Sequence, residues 1–372
     1  MVVLLACYHP LIGVDTGHRT ESGKIDYDIR SMPETLDPRI HKTMIYAPEC
    51  IGQEHKWFVP STSVQGFPYI IIPCGKCIGC RLEYSRQWAN RCMLELQYHK
   101  SACFVTLTYD DYHIPVSHYA DKETGEALES FTLRKRDLQL FLKRLRFKFS
   151  EQNIRFFACG EYGPSTFRPH YHLILFGLKL PDLIPTVMLR GHQYYSSASL
   201  DACWSVATQV SSLFPGDKPA FSGKTKIGLT SITDVTWETC AYTARYITKK
   251  LTGLMAEFYT DFGLEPPFVE MSRRPGVGKQ WYLDHPGFND FDFINVTTPT
   301  GGKKFKPPRY YHKLFDIDYP DESAHFKEVR QRIARAFVEN QLAKSDLNYF
   351  EYLQVQERNF KSKIKSLKRE DI

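Results

Sequence analysis

Two hydrophobic periods take turns along this chain. Leu82, Ser85, Ala89, Cys92, Met93 and Leu96 recur at helical spacing, which predicts a helix just after Cys80. Residues 102–109 form a β-rich run that ends in a turn at Asp110-Asp111. Residues 116–129 are polar and predict a loop. Thr132 then stands as an N-cap for a helix from Leu133 to Phe149, with Leu138, Phe141, Leu142 and Leu145 on one face. Two strands, Ile154 to Glu161 and Arg168 to Gly177, flank the turn 162–167 and predict a β-hairpin. The second is apolar almost throughout after Tyr171, as in a strand buried on both faces, and Pro169 suits its first position.

Residues 196–212 read as helical and 213–227 as a loop. Residues 228–235 alternate apolar and polar, as a half-buried strand does. Thr236 caps a further helix that runs to Leu251, and Glu238 in its first turn suits the helix dipole. Residues 1–70 are loop-rich, and the chain after 252 is poor in periodicity. Residues 321–369 predict one or two long polar helices that end in Lys361, Lys363, Lys365, Lys368 and Arg369.

Composition narrows the class. The 25 Phe and 22 Tyr among 372 residues can fill a substantial core. No run of 18 apolar residues occurs, which excludes a spanning helix. The apolar opening Met1 to Cys7 lacks a basic flank and does not read as a signal peptide. The net charge of +6 is unevenly placed. Residues 131–150 hold 7 Lys and Arg against 1 acidic residue, and residues 301–372 hold 16 against 11. Either an anionic polymer is the partner, or these are solvated basic helices.

Four groups of residues carry candidate chemistry. His170 and His172, two apart on a strand, point to one face, which is either metal-ligand geometry or a solvent-facing pair. Glu161 ends the first hairpin strand opposite the start of the second, where it either completes a site with the histidines or is simply solvated. Cys74, Cys77 and Cys80 can converge on one soft ion with Cys92 as fourth ligand, a structural zinc site; a redox or buried cysteine turn is the alternative. Tyr242 and Tyr246 share a helix face with Lys250 a turn further on, as catalytic groups or as packing aromatics.

The order of these features resembles the HUH endonuclease family of rolling-circle replication initiators. More narrowly, it resembles the initiation proteins of gokushovirus-type microviruses, small single-stranded DNA phages. Phe104 to Tyr109 is similar to the family's first motif, Arg168 to Gly177 to the second, and Ala241 to Lys250 to the two-tyrosine third. Similarity also extends to Pro73–Trp88, Phe268–Gly278 and Pro307–Phe315. The resemblance implies an α+β fold, with an HUH core whose central antiparallel sheet is flanked by helices and whose central strand carries the histidines. Around the core lie peripheral N-terminal and C-terminal segments. The expected organisation is a loop-rich segment 1–70, a core 71–260 preceded by the cysteine turn, a basic and aromatic region 261–320, and a basic helical tail 321–372.

The resemblance further implies a divalent ion, Mg²⁺ or Mn²⁺, held by His170, His172 and Glu161. Tyr242 and Tyr246 become the nucleophiles and Lys249 and Lys250 neutralise phosphate charge. The implied reaction nicks origin DNA, leaves a 5′-phosphotyrosine and a free 3′-hydroxyl, and later rejoins the product strand. Single-stranded and origin DNA, a host helicase and a polymerase are the implied partners, in the cytoplasm of a bacterial host. A relaxase or transposase with the same chemistry, and a non-catalytic zinc-containing nucleic-acid-binding protein, are the alternatives.

Overall fold

The computed structural model describes residues 7–21, 23, 25–32, 43–44, 67–189, 191–210, 220–245, 256–291, 293–298 and 301–366. It divides into one unit of Met1–Glu83 with His312–Ile372 and another of Tyr84–Tyr311. The first unit begins with β1 (Leu11–Arg19), β2 (Ile25–Ser31), β3 (Thr43–Met44) and β4 (Phe67–Ile72). These form an antiparallel sheet in the order β2-β1-β4-β3, where the sequence predicts loops. The difference has a physical reason. Gly13, Asp15 and Gly17 are poor local strand formers, so β1 depends on pairing with β4, from Leu11 opposite Ile72 to Val14 opposite Tyr69. Helix α1 (Ile78–Leu96) follows the cysteine turn, as expected.

The second unit contains β5 (Ala102–Thr108), β6 (Val116–Ala120), β7 (Ala127–Phe131), α2 (Lys135–Lys148), β8 (Arg155–Tyr162) and β9 (Pro169–Phe176). Next come β10 (Ile184–Leu189), β11 (His192–Ser196), the short α3 (Ala198–Asp201), β12 (Ser205–Val210), β13 (Ala220–Lys226) and β14 (Thr230–Thr233). It continues with α4 (Trp237–Arg245), α5 (Glu257–Asp261), β15 (Phe268–Met271), α6 (Lys279–Asp284), β16 (Ile294–Thr298) and β17 (Gly301–Phe305). Helix α7 (Arg309–Asp318) leads back to the first unit, which closes with α8 (Pro320–Leu342) and α9 (Tyr349–Ser366). These last two are the long polar helices the sequence predicts.

Seven strands make one antiparallel sheet in the order β10-β11-β14-β5-β9-β8-β15. The fold is α+β, a large antiparallel sheet flanked by helices. The histidine strand β9 is interior and adjoins β5, which is the middle strand. Strand alternation splits the core in two. Val105, Leu173 and Leu175 face α2, which contributes Leu138, Phe141 and Leu145. Phe104, Ile174 and Phe176 face the opposite way, against Trp88 and Met93 of α1 and Ala241 and Ala244 of α4. Burial from both sides accounts for the continuous apolar run of β9. Gly228 is required where β14 approaches β5: a Cβ there would lie 1.8 Å from the Thr108 carbonyl oxygen.

Three further expectations are corrected. Residues 116–129 are not a loop but lie in the hairpin of β6 and β7. Both its faces are largely exposed, so no apolar alternation marks it; its turn is fixed by the Asp121 carboxylate, which accepts from the Glu123 and Thr124 N–H groups at 2.9 and 2.8 Å. Residues 196–212 hold only the one-turn α3 before β12, whose partner β13 lies beyond an intervening segment. Thr132 does not cap α2. Its hydroxyl accepts from the Glu265 N–H at 2.8 Å, and the helix starts three residues later. The first N–H groups of that turn reach the Tyr162 and Tyr171 hydroxyls and the Glu265 carboxylate instead.

Glu95 on α1 is a buried tie within the second unit. Its carboxylate takes the Arg155 guanidinium, the His99 imidazole at 3.0 Å and the Gly278 N–H at 2.6 Å. Burial pushes this carboxyl up, but the donors outweigh burial and hold it below the ordinary range. Its stabilisation is therefore present above the unfolded value near 4.3 and is lost as pH falls through the depressed folded value. We expect Glu95→Ala to lower unfolding free energy by about 3 kcal/mol at pH 7, because Arg155 loses its partner. The deficit should shrink towards pH 3. Urea unfolding at both pH values measures it, and coincident wild-type and variant midpoints at pH 7 would contradict it.

Candidate active site

The candidate site lies on the face of the sheet that α1 and α4 cover. Since Ile174 and Phe176 face that way, so do His172 and His170 by period 2. Phe157 faces the same way from β8, and so does Glu161 four residues on. The β8–β9 register sets Glu161 directly opposite His170, as the hairpin reading anticipates. On the other side of β9, Thr106 of β5 stands opposite His172.

Glu161 Oε1 lies 3.0 Å from Nε2 of His170 and 3.0 Å from Nε2 of His172. One ligand atom from each of the three residues fits within a 4.8 Å span. The carboxylate and His172 are buried, whereas the His170 side chain is 20% exposed, so the site opens past His170. His170 Nδ1 donates to the Arg168 carbonyl at 3.1 Å, since that oxygen can only accept. His172 Nδ1 pairs with the Thr106 hydroxyl at 3.0 Å. These outer partners hold both rings with Nε2 turned to the carboxylate, as metal-ligating histidines are held. Burial pushes the Glu161 carboxyl up, but the two imidazoles outweigh burial and hold it below the usual carboxylate range. Two imidazole nitrogens and one carboxylate oxygen are a donor set for a divalent ion with open coordination positions.

Helix α4 brings Tyr242 to this site. Thr236 and Thr239 form a reciprocal cap: the Thr239 N–H donates to the Thr236 hydroxyl at 3.2 Å, and the Thr236 N–H to the Thr239 hydroxyl at 2.9 Å. Two bonds from α1 fix the helix sideways. The Ser85 hydroxyl donates to the Ala241 carbonyl at 2.7 Å, and the Trp237 indole donates to Asn90 Oδ1 at 3.0 Å. The Tyr242 ring then stands edge-on to His172, with centroids 5.2 Å apart. Phe104 stacks against the same imidazole at 5.7 Å. Tyr246, Lys249 and Lys250 lie outside the described residues.

The other candidates fall elsewhere. Arg134, Arg136, Lys143, Arg146 and Lys148 are exposed on α2, but that helix covers the sheet face opposite the histidines. Its charge acts on a polyanion at range rather than at the candidate site. Cys74, Cys77 and Cys80 do come together, but their fourth neighbour is Cys7. The expectation for Cys92 is corrected: it lies twelve residues beyond Cys80 on the same helix, about 18 Å along the axis. It is buried with Cys240 in the core between α1 and α4. Spacing along the sequence did not reveal Cys7 or Thr106, although strand pairing would have placed Thr106 opposite His172. Just before β9, Phe131, Phe167, Phe258 and Phe262 line a cavity of about 490 Å³. Beside it, Arg168 pairs with Asp111 at 2.5 Å.

The family described as Replication-associated protein ORF2 matches residues 102–251, the span from β5 past α4. The chain is 30% identical to Replication-associated protein ORF2 of Spiroplasma virus 4 over 306 residues, which cover 80% of this chain and 85% of that protein. It is 28% identical to Replication-associated protein VP4 of Bdellovibrio phage phiMH2K over 287 residues, 75% of this chain and 78% of that protein. Replication-associated protein ORF4 of Chlamydia phage 1 is 26% identical over 302 residues, 76% of this chain and 63% of that protein. No solved structure matches. Extending across the sheet, the histidine pair and the tyrosine helix alike, this similarity means that the chain belongs to the replication-associated protein family of small phages.

Proposed function

We propose that this chain is a viral replication initiator that cuts single-stranded origin DNA by tyrosine attack on the scissile phosphate. The observation that carries the reading is the convergence of Glu161, His170 and His172 beside the Tyr242 ring. A divalent ion, Mg²⁺ or Mn²⁺, held by those three residues would supply positive charge against the phosphate oxygens. Arg168 and Thr106 keep the two imidazoles aimed at one point, and Glu161 balances their charge.

Tyrosine, with an ordinary pKa near 10, is a weak nucleophile until its proton is drawn away. In the proposed step its oxygen bonds to phosphorus, the bond to the 3′ oxygen breaks, and that oxygen takes a proton and leaves as a 3′-hydroxyl. The 5′ end stays on the tyrosine. Because one phosphodiester replaces another, a 3′-hydroxyl can reverse the step without ATP. Tyr242 and Tyr246 alternate in this scheme, one holding the old 5′ end while the other cuts the regenerated origin. Lys249 and Lys250 offset phosphate charge.

The basic face of α2 supports attraction of a polyanion, and the phenylalanine-lined cavity beside Arg168 offers surfaces for unstacked bases. The relatives' names favour replication over conjugative relaxation or transposition. A purely binding role leaves the Glu, His and Tyr convergence without a use. The proposed partners are a host helicase and polymerase in the bacterial cytoplasm; among the described residues no helix is long and apolar enough to cross a membrane.

Incubation with single-stranded origin DNA and Mn²⁺ should give a covalent adduct on denaturing gels. Replacing both His170 and His172 by Ala should cut nicking roughly a thousandfold or more, several kcal/mol of lost charge stabilisation. The variant should keep its far-UV circular dichroism. Full nicking by it would sink the metal-site reading.

The tyrosines make a separate prediction. Tyr242→Phe and Tyr246→Phe should each leave some single-strand cleavage but impair the second transfer that ends a replication round, and the double change should leave none. Only a hydroxyl is lost, so packing changes little. If Tyr246→Phe alone removes every adduct while Tyr242→Phe alters neither cleavage nor termination, alternation is wrong and Tyr246 is the sole nucleophile.

A further inference from the structure

The first unit gathers four thiols that the proposed DNA chemistry does not use. Cys7, Cys74, Cys77 and Cys80 place their sulfurs within 4.8 Å of one another, and all four are free thiols. Strand pairing explains how a residue so remote in sequence joins a C-x2-C-x2-C turn. Leu11 at the start of β1 pairs with Ile72 at the end of β4. The residues just before Leu11 and just after Ile72 therefore emerge at the same edge of the sheet. Cys7 and Cys74 are among them, and the turn then delivers Cys77 and Cys80 at the start of α1.

We propose that these four cysteines form a mononuclear tetrathiolate zinc site, closed by Cys7. A zinc–sulfur bond of about 2.3 Å sets the edges of such a tetrahedron at about 3.8 Å, inside the observed span. The backbone is arranged for sulfur that carries negative charge. The Cys74 N–H donates to Cys7 Sγ at 3.2 Å, the Cys77 N–H to Cys74 Sγ at 3.3 Å, and the Tyr8 N–H to Cys77 Sγ at 3.3 Å. Gly75 in the turn has φ +72°, which a glycine adopts without strain. Disulfides join thiols only in pairs and leave those N–H groups facing neutral sulfur. With four protein donors the ion has no open position, so its role is structural. It ties the N-terminal segment to β4 and α1. Tyr8 and His9, next to Cys7, in turn touch Phe360 and Glu357 of α9. Metal binding would thus hold the strands and the terminal helix of this unit together.

The test uses full-length protein purified without chelator and does not depend on nicking. Elemental analysis should find one zinc per chain. Cobalt exchanged into the wild-type chain should show the strong thiolate-to-metal absorption and visible bands of a tetrahedral sulfur site. Cys7→Ser should give up metal to a chromogenic chelator roughly tenfold more readily than wild type, whereas Cys92→Ala should match wild type. Absence of both zinc and the cobalt spectrum in the wild-type chain would overturn the proposal, even if Cys7→Ser fails to fold. So would a Cys92→Ala variant that releases metal as readily as Cys7→Ser.

Discussion

The candidate active site depends on one register, the pairing of Glu161 on β8 with His170 on β9. Side chains alternate with period 2, so a slip of one residue would turn both histidines into the core beneath α2 and bring Tyr171 to the site. Tyr171 is what prevents it. Fully buried on the opposite face, its hydroxyl donates to the Arg134 carbonyl at 3.0 Å, accepts from the Arg134 N–H at 3.0 Å and meets the Tyr109 hydroxyl at 2.9 Å. Tyr109 in turn donates to Asp137 at 2.8 Å. None of these partners remains if β9 slips, and buried hydroxyls without partners are costly. The α2 face of the strand thus fixes what its α4 face presents.

A carboxylate as buried as Glu161 would be expensive among apolar neighbours without donors. Two imidazoles beside it reverse the balance, and the direction of its pKa records which effect wins. The same burial strengthens whatever charge interactions form there, because little water screens them. Exposure at His170 alone leaves an approach from one side. Sequence composition could not show this: the basic charge is concentrated elsewhere, partly on α2 across the sheet.

What the sequence revealed were local patterns that tertiary contacts reinforce. β5, the β8–β9 hairpin, the helical repeat of α1 and the Thr236 cap all combine a clear period with a punctuating residue. The site histidines were legible for the same reason, since alternation and a tight turn suffice to bring Glu161 opposite His170. Where the sequence misled, stability came from distant partners. β1 requires β4, β12 requires β13, and α2 takes its first caps from Glu265, Tyr162 and Tyr171 rather than from the neighbouring Thr132. Cys92 looked eligible by spacing, yet a straight helix carries it away from Cys80, while Cys7 arrives by strand pairing.

The two candidate ligand sets divide along chemical lines. Four sulfurs from one sheet edge and the adjoining helix start enclose a point on every side, which suits a soft ion that never meets substrate. Two nitrogens and one oxygen from adjacent strands approach from one side, which leaves room for phosphate oxygens or water. Geometry dictates this contrast. Neighbouring strands can present ligands only from the plane of their sheet, so the remaining positions face outward; turns and chain ends can wrap around an ion. A sheet therefore builds an open site, and here the element that covers the opening, α4, is the one that carries Tyr242.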